Sequence, residues 1–372
     1  RYAEVRSLLD ELSHADREFA SGRRCLRLFK LRAAQRAAEQ ADDEYVHAVY
    51  GDRASFSPEA IASLFEASFG QPFDAALWHW KYELGEGRCV AARAETNGEL
   101  VAHYGGAPRH IRYFGREAIA IQPCDVMVMP ENRTRYGRGS LFFKVAATFL
   151  EREIGNTVDH LLGFGFPNKK TMRLAIRLGL YEKTDDFVEL RLPLLNEAKA
   201  AASSLAPFDP DSAQQREWLG DLWREMADEF TGGIVGERDW RYIAYRYLRH
   251  PHRDRYSMRW LLNGARAPEA LVVLKRSGDA WLLMDLVCAP SVASARLAGL
   301  NEALAAESID AGEPPRQLLF WITRGWLSAL ELDRASVHDL GIEIPCNSWN
   351  PGPPSALLYG KWWLTAGDMD FQ

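Results

Sequence analysis

The sequence predicts a mixed α/β protein: two tandem copies of one module, each a mostly antiparallel central sheet flanked by helices, behind an N-terminal helical extension. Three observations predict it. The 372 residues exceed twice the ~150 of a typical domain. Short β-type runs bounded by turn residues alternate with stretches of helical periodicity. Two segments also recur at one separation: Trp80-Lys81-Tyr82 returns as Trp240-Arg241-Tyr242, and Asp125-Val126-Met127-Val128-Met129-Pro130 as Asp285-Leu286-Val287-Cys288-Ala289-Pro290, each 160 residues later.

In chain order, residues 1–44 place Leu8, Leu9 and Leu12, then Leu26, Leu28, Phe29 and Leu31, among Arg, Glu and Ala without a proline. That spacing favours an amphipathic helix packed on the main body. A first domain is expected over 45–196. Tyr45–Tyr50 reads as a short strand, and Ser57-Pro58-Glu59 has the N-cap and N1-proline signature of a helix presenting Ile61, Leu64 and Phe65 on one face. Cys89–Ala92, Leu100–Tyr104, Ile111–Phe114 and Ala118–Met129 read as strands, with turns at Asn97-Gly98 and Phe114-Gly115-Arg116, so they form an antiparallel meander ending at Pro130. A helix over Leu141–Ile154, a buried strand over Leu161–Phe166 and a helix over Lys170–Leu178 follow. Residues 197–214 are small, polar and proline-containing, the composition of a linker. The second domain, 215–372, repeats the order. Its strands are expected at Met258–Leu262, Ala270–Leu274, Trp281–Cys288 and Leu318–Thr323, with helices at Ala295–Ala306 and near Trp326–Leu332.

Composition narrows the class of function. A hydrophobic share of 47% with 26% charged residues supplies a core and excludes disordered, collagen-like and disulfide-dominated chains. The balance of 45 basic against 51 acidic residues argues against wholesale attraction to nucleic acid or membrane, and leaves room for a local basic site. Five cysteines without a C-x-x-C pair point to a reducing compartment and to neither zinc nor a disulfide framework. No apolar run reaches the ~18 residues that span a bilayer, and the start lacks the charged and apolar regions of a signal peptide. A cytoplasmic protein without a metal is expected. Because residue 1 is Arg rather than Met, the chain is expected to be a processed or truncated form.

The most informative stretch runs from Asp125 through Arg133-Thr134-Arg135-Tyr136-Gly137-Arg138-Gly139-Ser140 into the helix at Leu141. A strand ends at proline, a loop rich in Arg and Gly follows, and a helix begins. Glycines let backbone N–H groups converge on an anion, the helix N-terminus adds its positive end, and Arg133, Arg135 and Arg138 supply charge-assisted bonds. Such a loop suits a pyrophosphate; the alternative is a solvated turn with incidental arginines.

These residues, with Gly163-Phe164-Gly165-Phe166-Pro167-Asn168 and Arg173-Leu174-Ala175-Ile176-Arg177-Leu178-Gly179-Leu180, resemble the GNAT (Gcn5-related N-acetyltransferase) superfamily, in particular its tandem-domain members. The resemblance covers residues 46–192. It implies that the strand ending at Met129 splays from its neighbour, so that Met127, Val128 and Met129 meet the pantetheine arm of acetyl-CoA or another acyl-CoA. It also implies phosphate contacts from Arg133, Arg135, Gly137, Arg138, Gly139 and Ser140, with Asn168 lower on the CoA arm. Two departures stand out. Thr134 occupies the position where the family's loop usually has Gln or Arg, and the tyrosine that often protonates the leaving thiolate aligns with Ala175.

Proton removal from an amine calls for a carboxylate or imidazole near the thioester. Asp125 and His103 are the candidates, with Glu66 behind them; Asp285 repeats Asp125, so a structural role common to both modules stands beside a catalytic one. Cys124 is adjacent to Asp125, and strand alternation lets at most one of them face the site. Without a Cys-His or Ser-His pair at recognisable spacing, transfer is expected to be direct, with a strand N–H polarising the carbonyl. The second module lacks the Arg/Gly loop after Pro290. It is expected to shape the acceptor pocket, in a cleft lined from Trp78, Trp80, Trp240, Tyr242, Arg249, His250, Trp349, Trp362 and Trp363, the alternative for these aromatics being core. The expected activity is acyl-CoA-dependent N-acyl transfer, acetyl foremost, to a small-molecule or carrier-bound amine. The competing readings are a non-catalytic CoA- or carrier-binding module and a transferase that takes its acyl group from charged tRNA, which the net acidity disfavours.

Overall fold

The computed structural model of the chain describes residues 56–94, 97–134, 137–155, 158–194, 203–307, 315–330, 335–349 and 352–369. The helix expected over 1–44 and the strand Tyr45–Tyr50 lie outside them. Contacts divide the chain into two compact units, one comprising Arg1–Arg109, Ile119–Lys183 and Pro345–Leu357, the other His110–Ala118, Thr184–Ile344 and Leu358–Gln372.

In the first unit, helix α1 (Pro58–Phe69) starts where Ser57 caps the N–H of Ala60 and stops at Gly70, whose φ of 66° suits the left-handed C-cap. Helix α2 (Ala75–His79) is capped by Asp74 and runs directly into a π-helical turn, Trp80–Leu84, whose Trp80, Lys81 and Tyr82 are buried. Strand β1 (Arg88–Arg93) pairs antiparallel with β2 (Leu100–Tyr113), which leads by a tight turn into β3 (Arg116–Val128). The two strands expected at Leu100–Tyr104 and Ile111–Phe114 are thus one. Gly105 and Gly106 lie inside it at close approaches: a Cβ would lie 1.9 Å from the Tyr82 hydroxyl at the first and 2.7 Å from the Phe149 ring at the second. Helix α3 (Leu141–Glu153) follows, capped by Ser140 and largely buried. Strand β4 (Leu162–Gly163) is two residues long and parallel to β3, shorter than the expected Leu161–Phe166. Helix α4 (Lys169–Leu178) is capped by Asn168 and ends at Gly179.

Strand β5 (Tyr181–Pro193) passes into the second unit after Lys183. There β6 (Ser204–Pro207) falls inside the stretch 197–214 that composition assigns to a linker; it pairs with Arg259–Leu262. Helix α5 (Ala213–Glu229), not foreseen in the sequence, buries Leu219, Trp223 and Met226. After β7 (Ile234–Gly236), helix α6 (Trp240–Ile243) again runs into a π-helical turn, Ala244–Leu248. Strands β8 (Tyr256–Leu262), β9 (Pro268–Ser277) and β10 (Ala280–Val287) form a meander; helix α7 (Ala293–Glu307) leads to β11 (Gln317–Thr323), parallel to β10. β5 pairs antiparallel with β11 over Phe187–Pro193. The expected helix near Trp326 is a 3₁₀ turn, Arg324–Ala329, and β12 (Ser336–Asn347) had no counterpart in the sequence reading. Among the described residues no helix is long and apolar enough to cross a membrane.

Trp80, Tyr242, His250, Trp349, Trp362 and Trp363, expected as possible pocket lining, are buried, so these side chains serve as core.

Candidate active site

The site grows from one carboxylate. Asp125, near the end of β3, has φ 49°, one of four non-glycine residues with positive φ among those described. Its side chain is buried and doubly held. Lys81 Nζ donates to Oδ1 at 2.9 Å and the Tyr82 hydroxyl to Oδ2 at 2.9 Å. Burial works against the charged carboxylate, but the Lys81 ammonium and the Tyr82 hydroxyl outweigh it and hold Asp125 below the usual carboxylate range. Burial and the Asp125 charge push Tyr82 well up, so it stays a donor.

The left-handed backbone has a visible effect. Regular alternation would send Cys124 and Asp125 to opposite faces, yet the Tyr82 hydroxyl lies 3.7 Å from Cys124 Sγ as well as against Asp125. The expectation that at most one of them faces this region therefore fails, because positive φ at Asp125 breaks the alternation.

His103 on β2 completes the group. Its Nδ1 lies 2.7 Å from the Asp125 carbonyl oxygen; a carbonyl only accepts, so Nδ1 carries the hydrogen. Burial lowers the imidazole pKa, so the ring is neutral and Nε2 presents a lone pair. Nε2 is buried with no partner. The ring sits edge-on to Tyr82 and 5.3 Å from Trp78, which stacks on Tyr82 at 3.9 Å. Asp125 and His103 are thus brought together. Glu66 is not: it accepts from the Phe73 N–H on the exposed face of α1.

Downstream of Asp125, β3 outruns its parallel neighbour. The register joins Ala120 to Leu162 and Ile121 to Gly163, and the Phe164 N–H still reaches the Ile121 carbonyl at 3.2 Å. From Gln122 onward β3 extends beyond the two-residue β4. At its end the main chain is tied elsewhere: the Met129 N–H donates to Val101, and the Val128 carbonyl accepts from Arg133 Nε at 2.8 Å and from Ser68. Met127 and Val128 are buried and Met129 is half-buried.

The loop residues divide by role. Arg133 also reaches the Ser68 carbonyl, so its guanidinium braces α1 against the strand end. Arg138 is exposed, its guanidinium 5.4 Å from the Trp349 ring and 5.8 Å from that of Phe143. Gly137, at φ 76°, and Gly139 have open space where a Cβ would stand. Ser140 caps α3 through the Phe143 N–H, and the other N–H groups in the first turn of this 13-residue helix have no acceptor within the helix. This cradle fits an anion such as a diphosphate. Arg135 lies outside the described residues. Asn168 caps α4 at an exposed position, and Ala175 is buried within α4.

Lys81 and Tyr82 were not singled out from sequence as site residues, although a signal exists. Asp74 precedes Lys81-Tyr82 with the spacing at which Asp239 precedes Arg246-Tyr247. Both aspartates cap a helix that runs into a π-turn, and Tyr247 donates to Asp285 at 2.6 Å as Tyr82 does to Asp125. The counterpart of Lys81-Tyr82 is therefore Arg246-Tyr247, 165 residues on. The match to Arg241-Tyr242 at 160 is incidental, since Trp240 begins the helix and does not sit in its π-turn.

The family model of the acetyltransferase (GNAT) domain matches residues 56–159. No curated protein matches the chain by sequence. Among solved structures, the chain is similar to a probable N-acyltransferase of Enterococcus faecalis V583, with TM-score 0.58 and 12% identity over 81% of this chain and 72% of that one. It is similar to a GCN5-related N-acetyltransferase of Kribbella flavida, with TM-score 0.56 and 16% identity over 81% and 70%. It is also similar to the Saccharomyces cerevisiae N-myristoyltransferase with bound myristoyl-CoA, with TM-score 0.50 and 9% identity over 82% and 80%. At these identities the likeness is one of fold. The acetyltransferase (GNAT) domain is thus matched across α1 to α3, and the likeness of the surrounding chain to these structures is one of fold.

Proposed function

We propose that the first unit transfers an acyl group, acetyl foremost, from an acyl-CoA to the nitrogen of a small-molecule or carrier-bound amine. The observation that carries this reading is β3: it outruns β4 and leads through the open Gly137–Ser140 cradle to the N-terminus of α3. The thioester supplies the activated acyl group. Main-chain groups of β3 beyond Ile121 would hold the pantetheine arm, and one of their N–H groups would polarise the carbonyl. The first turn of α3 and Arg138 would hold the diphosphate. The amine nitrogen would attack the thioester carbon, and as the C–N bond forms the C–S bond breaks and CoA leaves as its thiolate, which takes up a proton from water. The amine's proton would pass to His103 Nε2, directly or through one water; the Asp125 carboxylate, already occupied by Lys81 and Tyr82, would not take it.

Internal comparison supports the assignment to His103. Both units keep a tyrosine bonded to the strand aspartate, so that tie does not by itself distinguish the first unit. Strand β9, which pairs with β10 beside Asp285, contains no histidine over Pro268–Ser277. What the first unit has and the second lacks belongs to the site.

A second reading, a CoA- or carrier-binding unit without catalysis, has Ala175 in its favour, because this buried methyl supplies no proton to a leaving thiolate. Calorimetry with acetyl-CoA, followed by a thiol-release assay over a panel of amines, separates the two. Micromolar binding with amine-dependent thiol release supports transfer, and binding without release supports the second reading. Absence of binding at high micromolar acetyl-CoA sinks both. In His103→Gln, thiol release should fall by about 100-fold or more while acetyl-CoA affinity is retained.

A further inference from the structure

We propose that Lys81 and Tyr82 are positioning residues: they clamp Asp125 in its left-handed backbone conformation, which aims the Asp125 carbonyl at His103 Nδ1 and leaves the buried Nε2 as the unpartnered acceptor. The proposal rests on the reading of His103 as the proton acceptor.

Strand residues do not adopt positive φ without something holding them there. At Asp125 the hold is visible, a buried ammonium on both carboxylate oxygens, at 2.9 and 3.2 Å, and a buried hydroxyl on Oδ2. Lys81 and Tyr82 are adjacent in sequence, and the π-turn brings both onto the same carboxylate. With the side chain pinned there, the main-chain carbonyl of Asp125 lies against the imidazole of His103 at 2.7 Å. The tautomer of His103 is then set by a backbone atom whose direction depends on the clamp. Gly105 belongs to the same device, since any side chain there would collide with the Tyr82 hydroxyl and the His103 ring.

The second unit acts as an internal control. Tyr247 and Arg238 hold Asp285, but Arg246, the counterpart of Lys81, donates instead to the Gly367 and Met369 carbonyls, so the adjacent pair from one π-turn does not grip that carboxylate together. Asp285 is not among the residues with positive φ, and the adjoining β9 offers no imidazole to aim at. The left-handed aspartate and an imidazole on the adjoining strand occur together at Asp125, and neither occurs at Asp285. Among the described residues, the charged and titratable groups shown acting on the His103 ring are Asp125, Lys81 and Tyr82, so altering the clamp alters the polar surroundings of the ring.

The test is long-range ¹H–¹⁵N NMR of the full chain, with the His103 signals assigned by their loss in His103→Gln. Two variants probe the clamp: Tyr82→Phe, and the double variant Lys81→Met with Asp125→Asn, which removes both charges and so strands neither. In the unaltered protein Nδ1 should be protonated and Nε2 not. In both variants the two nitrogens should shift toward averaged values, and kcat should fall on the order of tenfold with KM for acyl-CoA unchanged. Folded variants that keep the single tautomer and full kcat would overturn the proposal, as would a drop in Tm unaccompanied by a change in tautomer. If the double variant does not fold, Tyr82→Phe decides. Failure of the unaltered protein to bind acyl-CoA would overturn the functional reading alone, because the tautomer populations test the clamp without substrate.

Discussion

Tyr247 donates its hydroxyl to Asp285 at 2.6 Å, the same bond that Tyr82 makes to Asp125 at 2.9 Å in the other unit. Each tyrosine sits in a π-helical turn following an aspartate-capped helix, and each aspartate lies on the strand that leads toward the next long helix. The surroundings differ. Asp285 belongs to a fully buried network in which Arg238 bridges it to Asp368 and Thr365 adds a bond to Asp285. The Asp125 carbonyl meets His103 Nδ1, whereas β9, which pairs beside Asp285, contains no histidine.

Arg238→Met should be severely destabilising. The substitution leaves Asp285 and Asp368 buried without their cation, and removing one partner of such a group costs about 3–5 kcal/mol. Urea unfolding measures it; a loss below about 1 kcal/mol would show that the network does not hold the second unit together.

Gly105→Ala should be destabilising by about 1–3 kcal/mol, because the new methyl would stand 1.9 Å from the Tyr82 hydroxyl. Gly137→Ala meets no atoms within 4 Å but adopts a φ that only glycine accepts easily, so its cost should be smaller, about 1 kcal/mol. Thermal unfolding of the two variants side by side checks the order.

Arg138 and Arg133 should separate by assay. Arg138 is exposed beside the cradle, and Arg138→Ala should weaken acetyl-CoA binding by about tenfold. Arg133 spends its donors on the Val128 and Ser68 carbonyls. Its replacement by Ala should lower stability by about 1 kcal/mol with a smaller effect on affinity. Equal effects of the two variants in calorimetry would refute this division.

The lowered pKa of His103 makes stability depend on pH. The folded state disfavours the imidazolium, whereas the unfolded chain takes up its proton near the ordinary value of about 6.5. Below that value the unfolded state binds more protons, so stability falls with falling pH until the lowered folded pKa is reached, and the group contributes nothing above about 6.5. The difference between unaltered protein and His103→Gln in urea unfolding at several pH values isolates this slope; parallel curves would exclude it.

Much of the architecture is legible in the residues themselves. Ser57-Pro58 starts α1, Pro130 ends the β3 segment, and Gly137 to Ser140 announces a helix N-terminus, because caps and turn residues act on their immediate neighbours. Asp125 and His103 were both recognisable as candidates, since few groups can move a proton near neutrality. Local pattern was misleading where packing overrides it. Leu100–Tyr104 and Ile111–Phe114 read as two strands and are instead one continuous β2, in which Gly105-Gly106 marks two close approaches. Composition made 197–214 a linker, yet Ser204–Pro207 finds a hydrogen-bonded partner in β8 and becomes a strand.

By itself, the sequence determined where most of the helices and strands of the first unit lie, and that positive charge gathers after β3. These follow from periodicity, capping and charge, which are properties of neighbouring residues. Only the tertiary structure decided that Lys81 and Tyr82 meet Asp125, 43 to 44 positions along the chain. It also decided that Asp125 bends into the left-handed region and that His103 is thereby left with one nitrogen bonded and the other unpartnered. Those outcomes depend on distant side chains competing for one buried carboxylate, and no local pattern encodes which of them reaches it.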